Sequence, residues 1–557
     1  MQNFRFQRWL PIILLTFVPF AIYAYSLGNG FVVWDDDMLV YKNPLVKHLS
    51  LYSIWAVFTS YDPELYIPLT FLSYQIEHVL FGMNAAVFHL SNLLLHIGSS
   101  ILVYRLLQRW SLTEWVAFAA AFIFAIHPMN SEGVCWVSAR KDMLSNFLFL
   151  ATLLAWESYR SSGNRKRYRS AIALFALALL AKVSVVLLPV ILLLMDWREK
   201  RVINRTTVRE IVPFVVLSAV FIVIALFGKT ENIGSLTPLK TLLLASKAIV
   251  FYPVTYFAPF SLSSIYHQAT PISLARMEFA VPMLLIGLTT LVTIYGLRWS
   301  RAPLFSLLFF LVMLAPSFAN FSKMGGLYFA SDRYIGIAQI GLLYVLAVAW
   351  LHLQKSRWHV PVTITTAIVG ITVLPAFAFA SFERSVLWGD SETLFRDAMD
   401  KNPGSPVIHF NLAVVEQERG KYPEALALYD TAIAIRSDYS APHNNAGVIY
   451  REIGDRIKAE EYIRKAIELD PNNLTALINL ASILLDRGDA DEAIVLLERA
   501  LADDPYNVPA LSKLGAAYGK KEMYKEGLHA FQKAWKLDPV MHEQSKELER
   551  ILEELEQ

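Results

Sequence analysis

Eleven apolar runs separated by polar stretches occupy the first 390 residues, and no water-soluble core can bury so many. A bilayer span needs about 20 mostly apolar residues. The first run is Trp9–Leu27, with Arg5 and Arg8 before it. It is long for a signal-peptide core and lacks a small-x-small cleavage site after it, so it reads as an uncleaved span. The others lie near 85–107, 113–128, 143–158, 169–182, 183–196, 211–228, 279–297, 303–318, 334–352 and 360–381. A twelfth stretch, 240–262, is interrupted by Lys247, Pro253 and Pro259. Composition agrees: 55 % of the 557 residues are hydrophobic and 18 % charged, where soluble chains carry about 25 % charged residues.

Basic residues set the orientation, because loops rich in Lys and Arg stay on the cytoplasmic side. They cluster at Arg105 and Arg109, at Arg160 to Arg169, at Arg198 to Arg209, at Arg298 and Arg301, and at Lys355 and Arg357. With these and the N-terminus inside, the stretches 28–84, 128–142, Lys182–Ser184, 229–278 and 319–333 fall outside. The assignment closes if 240–262 is re-entrant or interfacial. Eleven crossings then place everything after residue 390 outside too.

A different object follows. Residues 401–557 hold 19 basic and 27 acidic residues, against 31 and 21 in the remainder. Pro403, Pro471, Pro505 and Pro539 fall on a 34-residue grid. Gly420, Gly454 and Gly488 share a second phase, which Glu522 breaks. Ala432, Ala466, Ala500 and Ala534 share a third, and Ala413, Gly447, Ala481 and Gly515 a fourth. Small residues in register at this period are the signature of tetratricopeptide repeats. The fold class expected is therefore all-α: a polytopic membrane bundle, then an α-solenoid. The divisions are a membrane domain over 1–390, a linker over 391–402, four repeats over 403–540 and an acidic capping helix over 541–557. Such arrays bind partners and rarely catalyse. Nucleic acid is not an expected partner, since the basic residues are scattered between apolar runs. One cysteine, Cys135, excludes an internal disulfide and a cysteine metal cage.

Chemistry is sought in the outer loops. Asp35, Asp36 and Asp37 sit between Trp34 and Met38–Tyr41. A solvated acidic loop is one reading. Adjacent carboxylates near the membrane interface also suit a general base or a metal ligand. His89, Asn92 and His96 share one helix face and read foremost as interhelical hydrogen-bonding groups. His127-Pro128, Glu132, Trp136, Arg140 and Asp142 follow, then Lys182, then Asp332-Arg333-Tyr334. Arg140, Lys182 and Arg333 are cations on one side, suited to a lipid-linked phosphate. The alternative is local pairing, Arg140 with Asp142 and Arg333 with Asp332.

Together these stretches resemble the transmembrane and tetratricopeptide-repeat O-mannosyltransferases, and more broadly the C-type membrane glycosyltransferases. The resemblance rests on Asp35-Asp36 with Asn43-Pro44 and Val46, and on Tyr66, Pro68-Leu69, Gly82, Phe88-His89, Asn92 and His96. It continues through His127-Pro128, Glu132, Arg140, Asp142, Lys182, Arg333-Tyr334 and Trp388-Gly389-Asp390-Ser391. Ser331-Asp332 departs from the family's more frequent Ala-Glu, a third aspartate follows the pair, and the array is short beside the animal members; the sparse cysteine and compact length favour a bacterial relative. The resemblance implies inverting transfer of a sugar, mannose among the candidates, from a polyprenyl phosphate to an acceptor hydroxyl outside the cytoplasm. Asp35 would act as general base or orient the acceptor, with Asp36 as its neighbour or alternate, and Arg140, Lys182 and Arg333 would stabilise the leaving phosphate. His89, His127, Glu132 and Tyr334 would support them. No metal ligand is assigned, although a carboxylate pair with distant histidines could take a divalent cation. The expected partners are the lipid-linked sugar, membrane lipid and a protein bound by the repeats. The expected place is a bacterial inner membrane with periplasmic repeats, or the endoplasmic reticulum with lumenal repeats in a eukaryote. Two other classes compete: a membrane-anchored scaffold without catalysis, and a transporter, which would show internal repeats in its membrane half.

Overall fold

The computed structural model describes residues 2–61, 65–228, 236–268, 270–323 and 326–556. Positions 62–64, 229–235, 269 and 324–325, all within the expected outer stretches, lie outside the described residues, as do 1 and 557. The chain forms two compact units, Met1–Phe31 with Ala85–Leu394, and Val32–Asn84 with Phe395–Gln557. The partition thus differs from a single cut at residue 390, because the stretch after the first apolar run joins the repeats.

In the first unit every apolar run of the sequence is largely helical. Among the described residues, six helices are long and apolar enough to cross a membrane: Trp9–Gly28, Ala85–Arg109, Arg205–Gly228, Met277–Arg298, Ala302–Asn320 and His359–Leu387. Glu114–Ile126 and Gln339–Gln354 are apolar but shorter. The runs at 143–158, 169–182 and 183–196 form the helices Arg140–Ser162, Arg165–Ala181 and Leu188–Arg198, which are short or carry charged ends. The stretch 240–262 is helical over most of its length. Its helix, Pro238–Phe257, passes through Pro253 without interruption and stops before Pro259. Pro253 removes one hydrogen bond, and the turns on either side continue the helix around it.

Close approach is built in where helices pair. A Cβ on Gly341 would stand 2.6 Å from the Ser306 carbonyl oxygen, so only glycine lets Gln339–Gln354 pack against Ala302–Leu314. The basic clusters are knitted into ion pairs: Arg160 with Asp196 at 3.0 Å and Glu210 at 2.9 Å, and Arg201 with Asp196 at 2.9 Å. One small three-stranded sheet was not expected. The hairpin Ser322–Lys323 and Gly326–Ala330 pairs with Tyr266–His267, Tyr266 facing Ala330 and Ser322 facing Leu327.

In the second unit, eight helices from Pro406 to Leu537 pair as four hairpins, followed by Pro539–Glu556. Ala425, Ala459, Ala493, Ala432, Ala466 and Ala500 are fully buried where hairpin helices meet. A Cβ on Gly447 would lie 2.6 Å from Ile463 and 3.0 Å from the Ala459 carbonyl oxygen. Each first helix ends with the same turn. Lys421, Asp455, Asp489 and Met523 donate their amides to the carbonyls of Glu416, Tyr450, Leu484 and Tyr518, at 2.9 Å in every case. The residue before each donor takes a left-handed conformation: Gly420, Gly454 and Gly488 with φ of 74°, 88° and 99°, and Glu522 with φ 59°. Glu522 breaks the glycine pattern and keeps the turn.

The stretch expected as a linker is instead the helix Ser391–Lys401. Within it Ser391, Phe395 and Ala398 stand one 34-residue period before Ala425, Tyr429 and Ala432. It has the sequence of the second helix of a repeat without the first. Val33, Phe395, Leu412 and Val415 form a buried cluster there, with Trp34 against it.

Candidate functional site

Strand Gly326–Ala330 delivers Ser331, Asp332 and Arg333 directly after its last residue, and the Ser331 backbone bonds to the Tyr252 hydroxyl at 3.1 Å. Tyr252 is buried on the helix that passes Pro253. Arg333 is thereby aimed at Glu132, with which it forms a salt bridge. The Arg333 amide donates to Glu132 Oε2 at 3.2 Å and the Ser331 hydroxyl to Oε1 at 2.9 Å. The Arg333 guanidinium lies over the rings of Trp136 and Tyr334, 4.8 and 4.9 Å from their centroids.

Lys182 reaches the same place from another direction. It follows Arg165–Ala181 in extended conformation, φ −164° and ψ 134°, which turns its side chain out of the helix register. Its ammonium lies 2.5 Å from Asp142 Oδ1 and 5.9 Å from the Tyr334 ring centroid. Arg333 Nε stands 3.9 Å from Asp142 Oδ2. Burial opposes ionisation of Asp142, but Lys182 and Arg333 outweigh it and hold the carboxyl below its ordinary range. Asp142 therefore remains an anion that fixes two cations far apart in sequence.

Arg140 starts the Arg140–Ser162 helix and is 1 % exposed. Its Nε donates to Asn92 Oδ1 at 2.5 Å and Nη2 to the Phe88 carbonyl at 2.8 Å. Asn92 in turn donates to the Trp136 carbonyl at 2.8 Å. These bonds tie two helices together beneath Trp136. Lys141 adds a further cation, 5.2 Å from the Trp136 ring centroid. Arg140, Lys141, Lys182 and Arg333 are thus held around Trp136 and the carboxylates Glu132 and Asp142. Preplaced cations in a partly dry site suit an anion with several acceptor oxygens.

The local pairings weighed from the sequence are replaced. Asp142 pairs with Lys182, and Arg333 with Glu132. Asp332 accepts from the Tyr266 hydroxyl at 2.7 Å and lies 3.6 Å from Arg384. Tyr252, Tyr266 and Arg384 were not singled out in the sequence. Arg384 offered the one usable signal, a basic residue, beside Glu383, near the end of a largely apolar 29-residue helix. The tyrosines offered none, since buried aromatic residues are ordinary core.

The histidines hold backbone. His89 bonds to the Gly30 carbonyl at 3.1 Å and His96 to that of Ala125 at 2.9 Å. His127 accepts from the Met129 amide on Nδ1 at 3.2 Å, so Nε2 is the protonated nitrogen and donates to the Tyr256 carbonyl at 2.8 Å. Its ring stacks on Tyr256 with centroids 3.9 Å apart. Among the described residues, no group of three or more His, Cys, Asp and Glu is arranged to hold a metal ion.

Asp35, Asp36 and Asp37 belong to the second unit. Asp36 is buried and accepts the Val32 amide at 3.0 Å, closing a tight turn. Asp37 begins a single helical turn over Asp37–Tyr41, and burial pushes its carboxyl up against the pull of Lys42. Asp35 is half-buried, and its carbonyl accepts the Leu39 amide at 2.8 Å.

A polytopic helical unit with a cation-rich cluster, joined to tetratricopeptide repeats, is the class that fold and geometry define. Comparison shows what the chain is similar to. Residues 67–227 match the dolichyl-phosphate-mannose-protein mannosyltransferase model, and 405–472 and 452–518 match tetratricopeptide repeat models. The first match contains His89, His127, Glu132, Arg140, Asp142 and Lys182; Asp35 and Arg333 lie outside it. The chain is 22 % identical to protein O-mannosyl-transferase TMTC3 of Homo sapiens over 85 % of its own length and 58 % of the relative's. It is 23 % identical to protein O-mannosyl-transferase F38B6.6 of Caenorhabditis elegans over 78 % and 63 %. With protein O-mannosyl-transferase TMTC1 of Homo sapiens it shares 24 % over 78 % and 56 %. The chain therefore spans about three fifths of the length of these curated relatives. Among solved structures, "Crystal structure of YrrB: a TPR protein with an unusual peptide-binding site" aligns with TM-score 0.24 and 23 % identity, over 26 % of this chain and 75 % of that one. The resemblance read from the motifs is borne out: a mannosyltransferase-type membrane region and tetratricopeptide repeats lie in one chain.

Proposed function

We propose that this protein is an integral-membrane glycosyltransferase that moves a sugar from a polyprenyl-phosphate donor to an acceptor hydroxyl outside the cytoplasm. The relatives' names suggest mannose and a protein acceptor. The observation that carries the reading is the meeting of Arg333 and Lys182, remote in sequence, on Asp142 and Tyr334. In this reading the acceptor oxygen attacks the anomeric carbon and the bond from that carbon to the phosphate oxygen breaks. The acceptor proton passes to Asp35, with Asp36 shaping the turn that presents it. The departing phosphate gathers negative charge, and Arg333 and Lys182 stabilise it, with Arg140 as the supporting charge. Preplaced cations act most strongly on charge that develops in the transition state. Glu132 and Tyr334 hold the Arg333 guanidinium in one orientation.

The second unit supports the sidedness of this reading. The segment after the first span and the repeats share one compact body, which supports putting both on the same face of the membrane. The basic clusters of the membrane half support reading that face as the outer one.

The test is transfer from a purified polyprenyl-phosphate mannose to an acceptor peptide by the detergent-solubilised chain. Asp35→Asn keeps size and removes basicity, and it should slow transfer by roughly 10²-fold or more with unchanged expression. Arg333→Ala should weaken donor binding as well as turnover. A double variant, Asp35→Asn with Asp36→Asn, that transfers at the parental rate would refute the assignment.

A further inference from the structure

The repeat array has its own chain seated on it, from one end to the other. At its start, Val33 and Trp34 fill the place left by the absent partner of the Ser391–Lys401 helix. Trp34 stacks on Phe395 with centroids 5.5 Å apart and planes at 28°, and Val33 is buried with Phe395, Leu412 and Val415. Lys42 pairs with Glu418 at 2.6 Å, at the end of the first repeat's first helix, and lies 3.8 Å from Asp37. Further along, the Tyr52 ring meets that of Tyr506 at 6.3 Å, between the third and fourth repeats, and the Thr59 hydroxyl lies 3.4 Å from the Tyr506 hydroxyl. His48 lies 3.5 Å from Asp538, beyond the fourth. Asp35 and Asp36 fall between the Trp34 and Lys42 anchors.

We propose that the repeats act in cis as a clamp on Val33–Thr59, and that Trp34, Lys42 and Glu418 are positioning residues for the Asp35–Asp36 carboxylates. The kinetic part rests on the transferase reading; the clamp itself does not. Two anchors, one apolar and one ionic, bracket the carboxylates, and a short segment fixed at both sides samples few conformations. A general base gains most from such ordering, because misplacement by about 1 Å costs as much as 10²-fold. The array thereby serves the chemistry directly as well as offering its remaining surface to a partner.

The experiment measures amide hydrogen exchange over residues 33–46 in the full chain in detergent, beside the transfer assay. Trp34→Ala should raise exchange there roughly tenfold, and Glu418→Lys on the repeat side, which breaks an exposed pair and sets two cations together, by about two- to fourfold. The charge-swapped pair, Lys42→Glu with Glu418→Lys, should bring exchange back toward the parental value. Transfer should lose kcat with little change in KM for the lipid donor, and the swapped pair should restore it. Unchanged exchange in both single variants would overturn the clamp. Raised exchange with undiminished kcat would overturn the positioning role. A parental chain that transfers no sugar would overturn the transferase reading and leave the exchange result to decide the clamp.

Discussion

Replacing Glu522 by glycine should stabilise the fourth repeat. Glu522 holds φ at 59°, where a residue with a Cβ is disfavoured by about 1–2 kcal/mol. Its three counterparts, Gly420, Gly454 and Gly488, adopt the same turn without that penalty. The glutamate side chain is exposed, so little is lost with it. Glycine also has more freedom to lose on folding, by roughly 0.5–1 kcal/mol. The net gain is then about 0.8 kcal/mol, a factor of about four in a local opening equilibrium. Amide exchange in Val508–Lys520 and Tyr524–Leu537, the helices that the turn joins, should slow by that factor in Glu522→Gly. The reverse change, Gly454→Ala, should speed exchange in Ser440–Glu452 and Arg456–Leu469 by as much or more. If Glu522→Gly speeds exchange while Gly454→Ala also speeds it, the left-handed turn is not what limits opening, and the reasoning fails.

Three other outcomes are expected. Glu132→Ala removes the buried carboxylate nearest Arg333 and leaves only the longer approach to Asp142 among the ion pairs described, so thermal unfolding in detergent should show a loss of about 3 kcal/mol, beyond what the exposed Arg464–Glu492 pair would give. Gly447→Val forces its side chain into Ile463 and the Ala459 carbonyl; overpacking of this kind costs about 1–3 kcal/mol, measurable as a lower unfolding midpoint of the repeats. Asp142 is held below its ordinary value of 3.8, so the native state binds its proton less readily than the unfolded state. The stabilisation is complete above 3.8 and disappears as pH falls through the lower native value. Acid titration of the unfolding midpoint should therefore lose part of its slope in Asp142→Asn.

What could be read from the sequence was what repeats or persists along the chain. Apolar runs mark the membrane half because desolvation acts on each residue independently of its distant neighbours. The 34-residue register marks the repeats because each hairpin solves the same packing problem, and it reaches back to Phe395 and Ala398, inside what reads as a linker. Candidate cations were legible because charge near an apolar run is rare. Their partners were not. Asp142 with Lys182 and Glu132 with Arg333 are chosen by a fold that brings distant segments together, whereas sequence offers only the nearest opposite charge. Tyr252 and Tyr266 are legible only as core, until a strand seats Ser331 and Asp332 against them.

The seating of Val32–Asn84 with the repeats shows the same limit at larger scale. Sequence order assigns that stretch to the membrane half, because it lies between two spans. Packing assigns it to the solenoid, because Ser391–Lys401 is half a repeat with an apolar face to cover. Val33 and Trp34 cover it. The residues beside them, Asp35 to Asp37, are therefore ordered by contacts that originate more than 300 residues downstream in the chain. A truncation that removes the repeats should consequently disturb the aspartate segment even where the membrane half inserts normally. Exchange over 33–46 in a chain ending at residue 390 would reveal it, and parental protection there would show that the segment is ordered without the repeats.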